Sequence, residues 1–268
     1  SSNSGNFSDY LCGLKSFKPK KNTLIAIPTT SGSGSEATHF AVLYDGFDKF
    51  SIAHESLLPD YAIIDPELTY SLPPLQTAIS GMDALCQGIE SLWSKGSTNV
   101  SRELSRRAIR LAIDNISNSV LNPTETSREA MAQSSNLAGR AINISKTTAA
   151  HAFSYPLSRF FNIPHGHAVG LTIGEFLIHN SENSLQDKST LRLYDELFEI
   201  FRVSNALEAK SYLSNLMEQI GLFTKLPATI CYEKTVSEIT SNVNLERLAN
   251  NPSKVSNEDL RRIFQSLF

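Results

Sequence analysis

The sequence predicts a small, incomplete α/β part over residues 1–72, followed by an all-helical domain over residues 73–268. Three observations lead there. Short, wholly apolar runs at Leu24–Ile27 and Tyr61–Ile64 read as strands that want burial on both faces of a sheet. The proline pair of SLPP, Ser71–Pro74, breaks the chain after the second run and marks the domain boundary. From Thr77 onward apolar residues recur at helical spacing, and no further strand signal follows.

The opening segment, SSNSGNFSDYLCGLKSFKPKKN, is polar and contains no strand that could flank Leu24–Ile27, so the chain is expected to begin in the middle of a domain. Lys18, Lys20 and Lys21 form the only tight basic group and read as a solvated turn. HFAVLYDGFDKFSIAH, between the two apolar runs, reads as a hairpin of half-buried strands turning at Asp45-Gly46. In the helical part, Ile79, Met82, Leu85, Ile89 and Leu92 predict a helix over Thr77–Trp93. Leu104, Ala108, Leu111, Ala112 and Ile116 predict a second over Ser101–Val120, and a Ser cap opens a third over Ser127–Ile144. Helices over His151–Phe161, His165–His179, Leu191–Phe201, Ala206–Ile220 and Asn257–Phe268 complete the chain.

Composition narrows the function. With 268 residues, 41% of them hydrophobic, the chain can bury a sizeable core. A formal charge of −3 with scattered basic residues excludes a nucleic-acid or anionic-membrane partner at the level of net charge. Cys12, Cys86 and Cys231 are too few and too irregularly spaced for a disulfide framework and point to a reducing compartment. No apolar run approaches the roughly 18 residues a membrane span needs. A soluble, cytoplasmic protein is expected.

Four segments carry potential chemistry. In GMDALCQGIE, Gly81–Glu90, Asp83 and Gln87 are i, i+4 and share a helix face. Asp83 among apolar neighbours is either a buried carboxylate in need of a cation or a cap near a helix start after Gly81. In HAFSYPLSRFFNIPHGH, His151–His167, His151 and Tyr155 share a face and His165 follows Pro164 at a helix start. A helix start disfavours a charged imidazolium, and a neutral imidazole suits metal ligation. Asp83 with His151 and His165 therefore makes a plausible site for a divalent first-row metal, and His39 would face the same cavity. The third segment, IPTTSGSGSEAT, matches the dinucleotide fingerprint weakly at Gly32, Gly34 and Ala37, because Pro28 and two threonines interrupt the expected tight turn. Asp60 and Asp65 are both candidates for a ribose-binding acid, and a plain flexible linker is the competing reading. In the fourth, INISKTTAAHA, Lys146 lies five residues before His151 and is either a solvated lysine or a contact for an anionic substrate group.

In this order and spacing, IPTTSGSGSEAT, DPELTYSLPP, GMDALCQGIE, LAGRAINIS and HAFSYPLSRFFNIPHGHAV resemble the iron-dependent (group III) alcohol dehydrogenases over about residues 7–180. SEATHFAVLY, AHESLLPDYAIIDPELTYSLPP, DALCQGIES and INISKTTAAHAFSY carry a narrower likeness to the branch that reduces phosphonoacetaldehyde to hydroxyethylphosphonate. The resemblance implies a dehydroquinate synthase-like fold, with a Rossmann-like first part and a helical metal-binding second part. It implies NAD(P)H-linked reduction of an aldehyde, with Fe²⁺ or Zn²⁺ polarising the carbonyl, in a homo-oligomer.

By matching position, the metal ligands fall on Asp83, His151 and His165. Gln87 stands where the family usually has a histidine ligand, and Tyr155 stands where a histidine usually relays protons. Cofactor-facing positions fall on Thr29, Thr30, Ser33, Lys49 and Leu68. That places TTSGSGSE at the nicotinamide end of the cofactor rather than at the main phosphate turn, a GGGS segment that this sequence does not contain. The chain thus resembles an N-terminally truncated member. Two further readings follow: a non-catalytic paralogue that binds metal or full-length subunits, and a metal-dependent polyol or glycerol-phosphate dehydrogenase. Lys146 is the expected contact for a phosphonate.

Overall fold

A computed structural model describes residues 3–6, 9–10, 14–45, 48–184 and 188–268; the side chains at 44, 45, 48–50, 188 and 189 lie outside that description. Before the proline pair there are two small sheets. Strand β1 (Ile25–Ala26) pairs in parallel with β4 (Tyr61–Ala62). Strands β2 (Phe40–Asp45) and β3 (Asp48–Ala53) pair antiparallel from Phe40 opposite Ala53 to Asp45 opposite Asp48. The expected hairpin is therefore present, while its turn at 46 and 47 lies outside the described residues.

Leu24, Ile25 and Ile27 are 42%, 52% and 51% exposed, in keeping with an apolar run that lacks flanking strands upstream in this sequence. Among the described residues β1 pairs with β4 alone, and this short ladder leaves both faces uncovered.

Ten helices follow among the described residues after Pro73. They are α1 (Pro74–Trp93), α2 (Asn99–Leu121), α3 (Glu125–Ser145), α4 (Ala149–Phe161), α5 (His165–Asn183), α6 (Lys188–Phe201), α7 (Ala206–Gln219), α8 (Tyr232–Ser241), α9 (Leu245–Ala249) and α10 (Asn257–Gln265). Helix α1 starts three residues earlier than its apolar pattern indicates, because Pro74 at the first helical position fixes φ and sacrifices an N–H that has no helical partner anyway. Asp83 therefore lies in mid-helix and is not a cap.

Likewise α3 is capped by Thr124, in a reciprocal box with Ser127, so Ser127 lies inside the helix. A similar box of Thr98 and Ser101 opens α2. Helices α8 and α9 have no counterpart in the apolar pattern, and the final helix stops at Gln265 rather than Phe268.

Helix α1 is buried without interruption from Thr77 to Trp93 and packs against α2, α3 and α5. A helix apolar on all sides belongs at the centre of a bundle, and α1 carries no charge except Asp83 and Glu90. The surrounding helices are amphipathic: α2 buries Leu104, Ala108, Ile109, Ala112 and Ile116 and turns its arginines outward. Phe153, Phe176, Tyr194 and Phe264 are among the largest fully buried side chains of the core. Two polar side chains lie at i, i+7 on the central helix, and the site is built around them.

Candidate metal centre

Three helices converge on Asp83. It lies on α1, His151 on the first turn of α4, and His165 is the first residue of α5. Each offers one ligand atom, and the three atoms lie within 4.8 Å of one another. Asp83 Oδ1 is 3.3 Å from His151 Nε2 and 3.9 Å from His165 Nε2. The two imidazoles meet edge to face with centroids 5.3 Å apart. Asp83 and His151 are buried and His165 is half-buried, so the cluster opens on the His165 side.

Glu90, one helical stripe along from Asp83, is fully buried and anchors His151. Its Oε2 is hydrogen-bonded to His151 Nδ1. Its Oε1 accepts from Thr148 N (3.1 Å), Thr148 Oγ1 (2.8 Å), Ala150 N (3.0 Å) and His151 N (3.2 Å). Thr148 makes no side-chain cap at this helix start, so a carboxylate from α1 caps α4 in its place. Trp93 Nε1 donates to Thr148 Oγ1 at 3.0 Å and completes the network.

These contacts set the charge states. Burial raises the pKa of a carboxyl, but hydrogen bonding from His151 and the nearby His165 charge outweigh it, and Asp83 ends below its ordinary value. For Glu90 burial again opposes, and the His151 charge and hydrogen bonds bring the net shift down. Burial would depress His151, yet the Glu90 charge and the bonds to Asp83 and Glu90 lift it to about 9. Two buried carboxylates thus demand a cation. In the metal-free protein the proton on His151 Nε2 supplies it.

Gln87 tests whether a metal fits. Its Nε2 donates to the Ser33 carbonyl at 3.3 Å, which fixes the amide orientation. Its Oε1 is buried and has no hydrogen-bond partner among the described residues. An acceptor buried without a donor is costly unless a cation or ligand donor meets it. Asp83 and the two imidazoles, whose ligand atoms lie within 4.8 Å of one another, make a donor set that suits a divalent transition metal.

The glycine–serine loop is neither free nor a linker. Glu36, 5% exposed, accepts from Asn136 Nδ2 at 3.0 Å, and His39 N donates to Asn143 Oδ1 at 2.9 Å. Just before them Gly34, at φ 61°, meets Gly139 so closely that a Cβ on Gly139 would lie 2.6 Å from the Gly34 carbonyl oxygen. Positions 136, 139 and 143 form one stripe of α3, along which the loop is docked. Thr29 and Ser33 remain exposed and Thr30 half-buried, while Leu68 is 43% exposed on the 3₁₀ turn Pro66–Thr69. Lys49 lies on β3 opposite Tyr44, and its side chain is outside the described residues. His39 is held by Asn143 Oδ1 through its ring as well, at 2.6 Å, and is not part of the three-residue cluster.

Tyr155, half-buried, packs its ring 6.2 Å from that of His165. Lys146 closes α3 with a positive φ of 59° and pairs with Glu246 at 2.6 Å. Sequence reasoning passed over two residues here. Glu90 was legible as the only other charge on a fully apolar helix, seven residues from Asp83. Arg247, whose guanidinium lies 5.7 Å from the Tyr155 ring centroid, sits on the short polar helix α9 and gives no periodic signal.

The Asp/His/His cluster lies beside a glycine–serine loop docked on the helical bundle, a geometry that defines a candidate site for a divalent metal. Comparison with known proteins agrees. Residues 77–268 match the Fe-containing alcohol dehydrogenase family, C-terminal, and residues 1–66 match iron-containing alcohol dehydrogenase; the chain belongs to this family.

It is 30% identical to long-chain-alcohol dehydrogenase 1 of Geobacillus thermodenitrificans, over 98% of this chain and 69% of that protein. It is 37% identical to phosphonoacetaldehyde reductase of Streptomyces viridochromogenes, over 60% of this chain and 42% of that protein. The crystal structure of sulfoacetaldehyde reductase from Bifidobacterium kashiwanohense in complex with NAD⁺ superposes with a TM-score of 0.89 at 32% identity, covering 99% of this chain and 70% of that one. This chain thus spans 42% to 70% of the length of these relatives. No helix among the described residues is long and apolar enough to cross a membrane.

Proposed function

We propose that this chain reduces a small aldehyde to the alcohol with NAD(P)H and a divalent metal, Fe²⁺ or Zn²⁺, and that its substrate carries an anionic group, as phosphonoacetaldehyde does. The observation that carries the reading is the convergence of Asp83, His151 and His165 to within 4.8 Å, two of them buried. The two relatives named for phosphonoacetaldehyde and sulfoacetaldehyde support the anionic two-carbon substrate.

When bound, the metal supplies Lewis-acid polarisation of the carbonyl and the nicotinamide supplies hydride. Asp83 contributes charge, and His151 and His165 contribute Nε2 lone pairs. Gln87 would serve as a fourth, weaker ligand. Thr29, Thr30 and Ser33 line the nicotinamide end of the cofactor, with Lys49 and Leu68 along its length. Tyr155 stands beside His165, where its hydroxyl can hydrogen-bond cofactor or substrate.

The test is NADH and NADPH oxidation by the metal-loaded chain with phosphonoacetaldehyde, sulfoacetaldehyde, propanal and octanal. Preference for the two anions supports the reading. Preference for octanal would favour the long-chain alternative that the Geobacillus relative represents. No oxidation with any aldehyde, with metal bound, would leave a metal-binding chain without turnover.

A further inference from the structure

We propose that Arg247, rather than Lys146, recognises the anionic end of the substrate; this rests on the anionic-aldehyde reading above. The inference starts from a broken helix. Pro156 lies inside α4 and has no N–H for the Ala152 carbonyl. The Asn244 N–H, at the cap of α9, donates to that carbonyl at 3.5 Å. At the other end of α9, Asn250 Nδ2 donates to the carbonyls of Ser145 (2.8 Å) and Thr147 (3.0 Å). A five-residue helix with little core of its own is thus pinned at both ends to the segment that carries His151. Arg247 lies between the pins.

From there its guanidinium reaches over the Tyr155 ring at 5.7 Å, and that ring packs on His165. Contact therefore runs from a metal-ligand candidate through one aromatic ring to a cation. Charge distinguishes Arg247 from its neighbour. Lys146 and Arg247 line one small cleft with Glu246. Glu246 forms its ion pair with Lys146, at 2.6 Å, and feels Arg247 only as a more distant charge. Arg247 makes no ion pair among the described residues, and its guanidinium donates only to the uncharged Thr147 hydroxyl. The cleft keeps a net positive charge on a planar fork with donors to spare, which matches the oxygens of a phosphonate or sulfonate.

The experiment is calorimetric titration of the Zn²⁺-loaded full chain with ethylphosphonate and, separately, with 1-propanol. It uses wild type, Arg247→Gln, Arg247→Lys and Lys146→Gln. Arg247→Gln should weaken ethylphosphonate roughly tenfold or more, the usual loss for a charge-assisted hydrogen bond. Arg247→Lys should fall between it and wild type, and Lys146→Gln should stay within about threefold of wild type. Unchanged Zn²⁺ affinity in Arg247→Gln reports an intact fold. Wild-type preference for the anion with Arg247→Gln unaffected, or with Lys146→Gln the larger loss, overturns the inference alone. A wild type that binds the anion no better than propanol overturns the anionic reading and the inference with it.

Discussion

The Glu90 carboxylate holds His151 twice, through the imidazole Nδ1 and through the backbone N–H. One oxygen caps the helix on which His151 rides, and the other sets its ring. Because Glu90 belongs to the same helix as Asp83, ligand spacing is fixed by the rise of α1 and by a single side chain bridging to α4. Carboxylates that receive the distal N–H of a metal-ligating histidine fix its tautomer and orientation.

Glu90→Gln should break that tautomer with little change in shape. Four donors converge on Oε1, so the substituted amide must keep its oxygen there. Its NH₂ then faces His151 Nδ1, which must accept, so the Nδ1 proton is lost and the ring keeps its single proton on Nε2, the atom aimed at Asp83. Metal affinity should fall roughly 10- to 100-fold. Nitrogen-15 NMR of the His151 ring checks the tautomer, and chelator competition checks the affinity. A normal tautomer with full affinity would contradict the role.

Metal binding should strengthen with pH. In the metal-free protein His151 titrates near 9, above its ordinary 6.5, so its stabilising contribution is complete below about 6.5 and disappears as pH rises through 9. Asp83 and Glu90 are shifted down, so their contributions are present above the ordinary carboxylate range and are lost on acidification. The metal must displace the His151 proton, so apparent affinity should rise by about tenfold per pH unit below 9. Chelator competition between pH 6.5 and 8.5 measures the slope. The melting temperature of the metal-free chain should fall over the same interval.

Much of this site could be seen in the sequence, for local reasons. Asp83, Gln87 and Glu90 share one helical stripe, and His165 behind Pro164 announces a helix start. What escaped is non-local. Glu90 acquires its role only when the start of α4 docks against α1. Arg247 acquires its position only because Pro156 releases a carbonyl that the chain takes up almost ninety residues later. Strand β1 shows the same dependence on distant elements. An apolar run such as Leu24–Ile27 states a preference for cover, and cover depends on other elements.

Gln87→His should raise metal affinity. The orphaned Oε1 is a weak donor, whereas an imidazole at i+4 from Asp83 offers a stronger one to the same cluster. A gain of at least about tenfold is expected, since added or restored ligand contacts shift affinity on that scale. The Ser33 contact is lost in exchange, so the dinucleotide should bind more weakly even as the metal binds more tightly. Calorimetry with Zn²⁺ and with NADH, run separately, resolves the two effects. Parallel gains in both would show that Gln87 does not link loop and metal.

Gly139→Ala tests whether the loop must lie on α3 for the cofactor end to form. The added methyl would come 2.6 Å from the Gly34 carbonyl oxygen and 2.7 Å from its Cα, and both obstacles are backbone. Gly34 has no easy retreat, because its φ of 61° is a conformation few residues adopt and Glu36 and His39 pin the segment just beyond it. Overpacking of this kind costs about 1–3 kcal/mol. The loop should lift while the bundle stays folded, because Asp83, His151 and His165 are held by α1, α4 and α5 and not by the loop. NADH binding should weaken with Zn²⁺ affinity preserved. Loss of both together would mean that loop and metal centre form one cooperative unit.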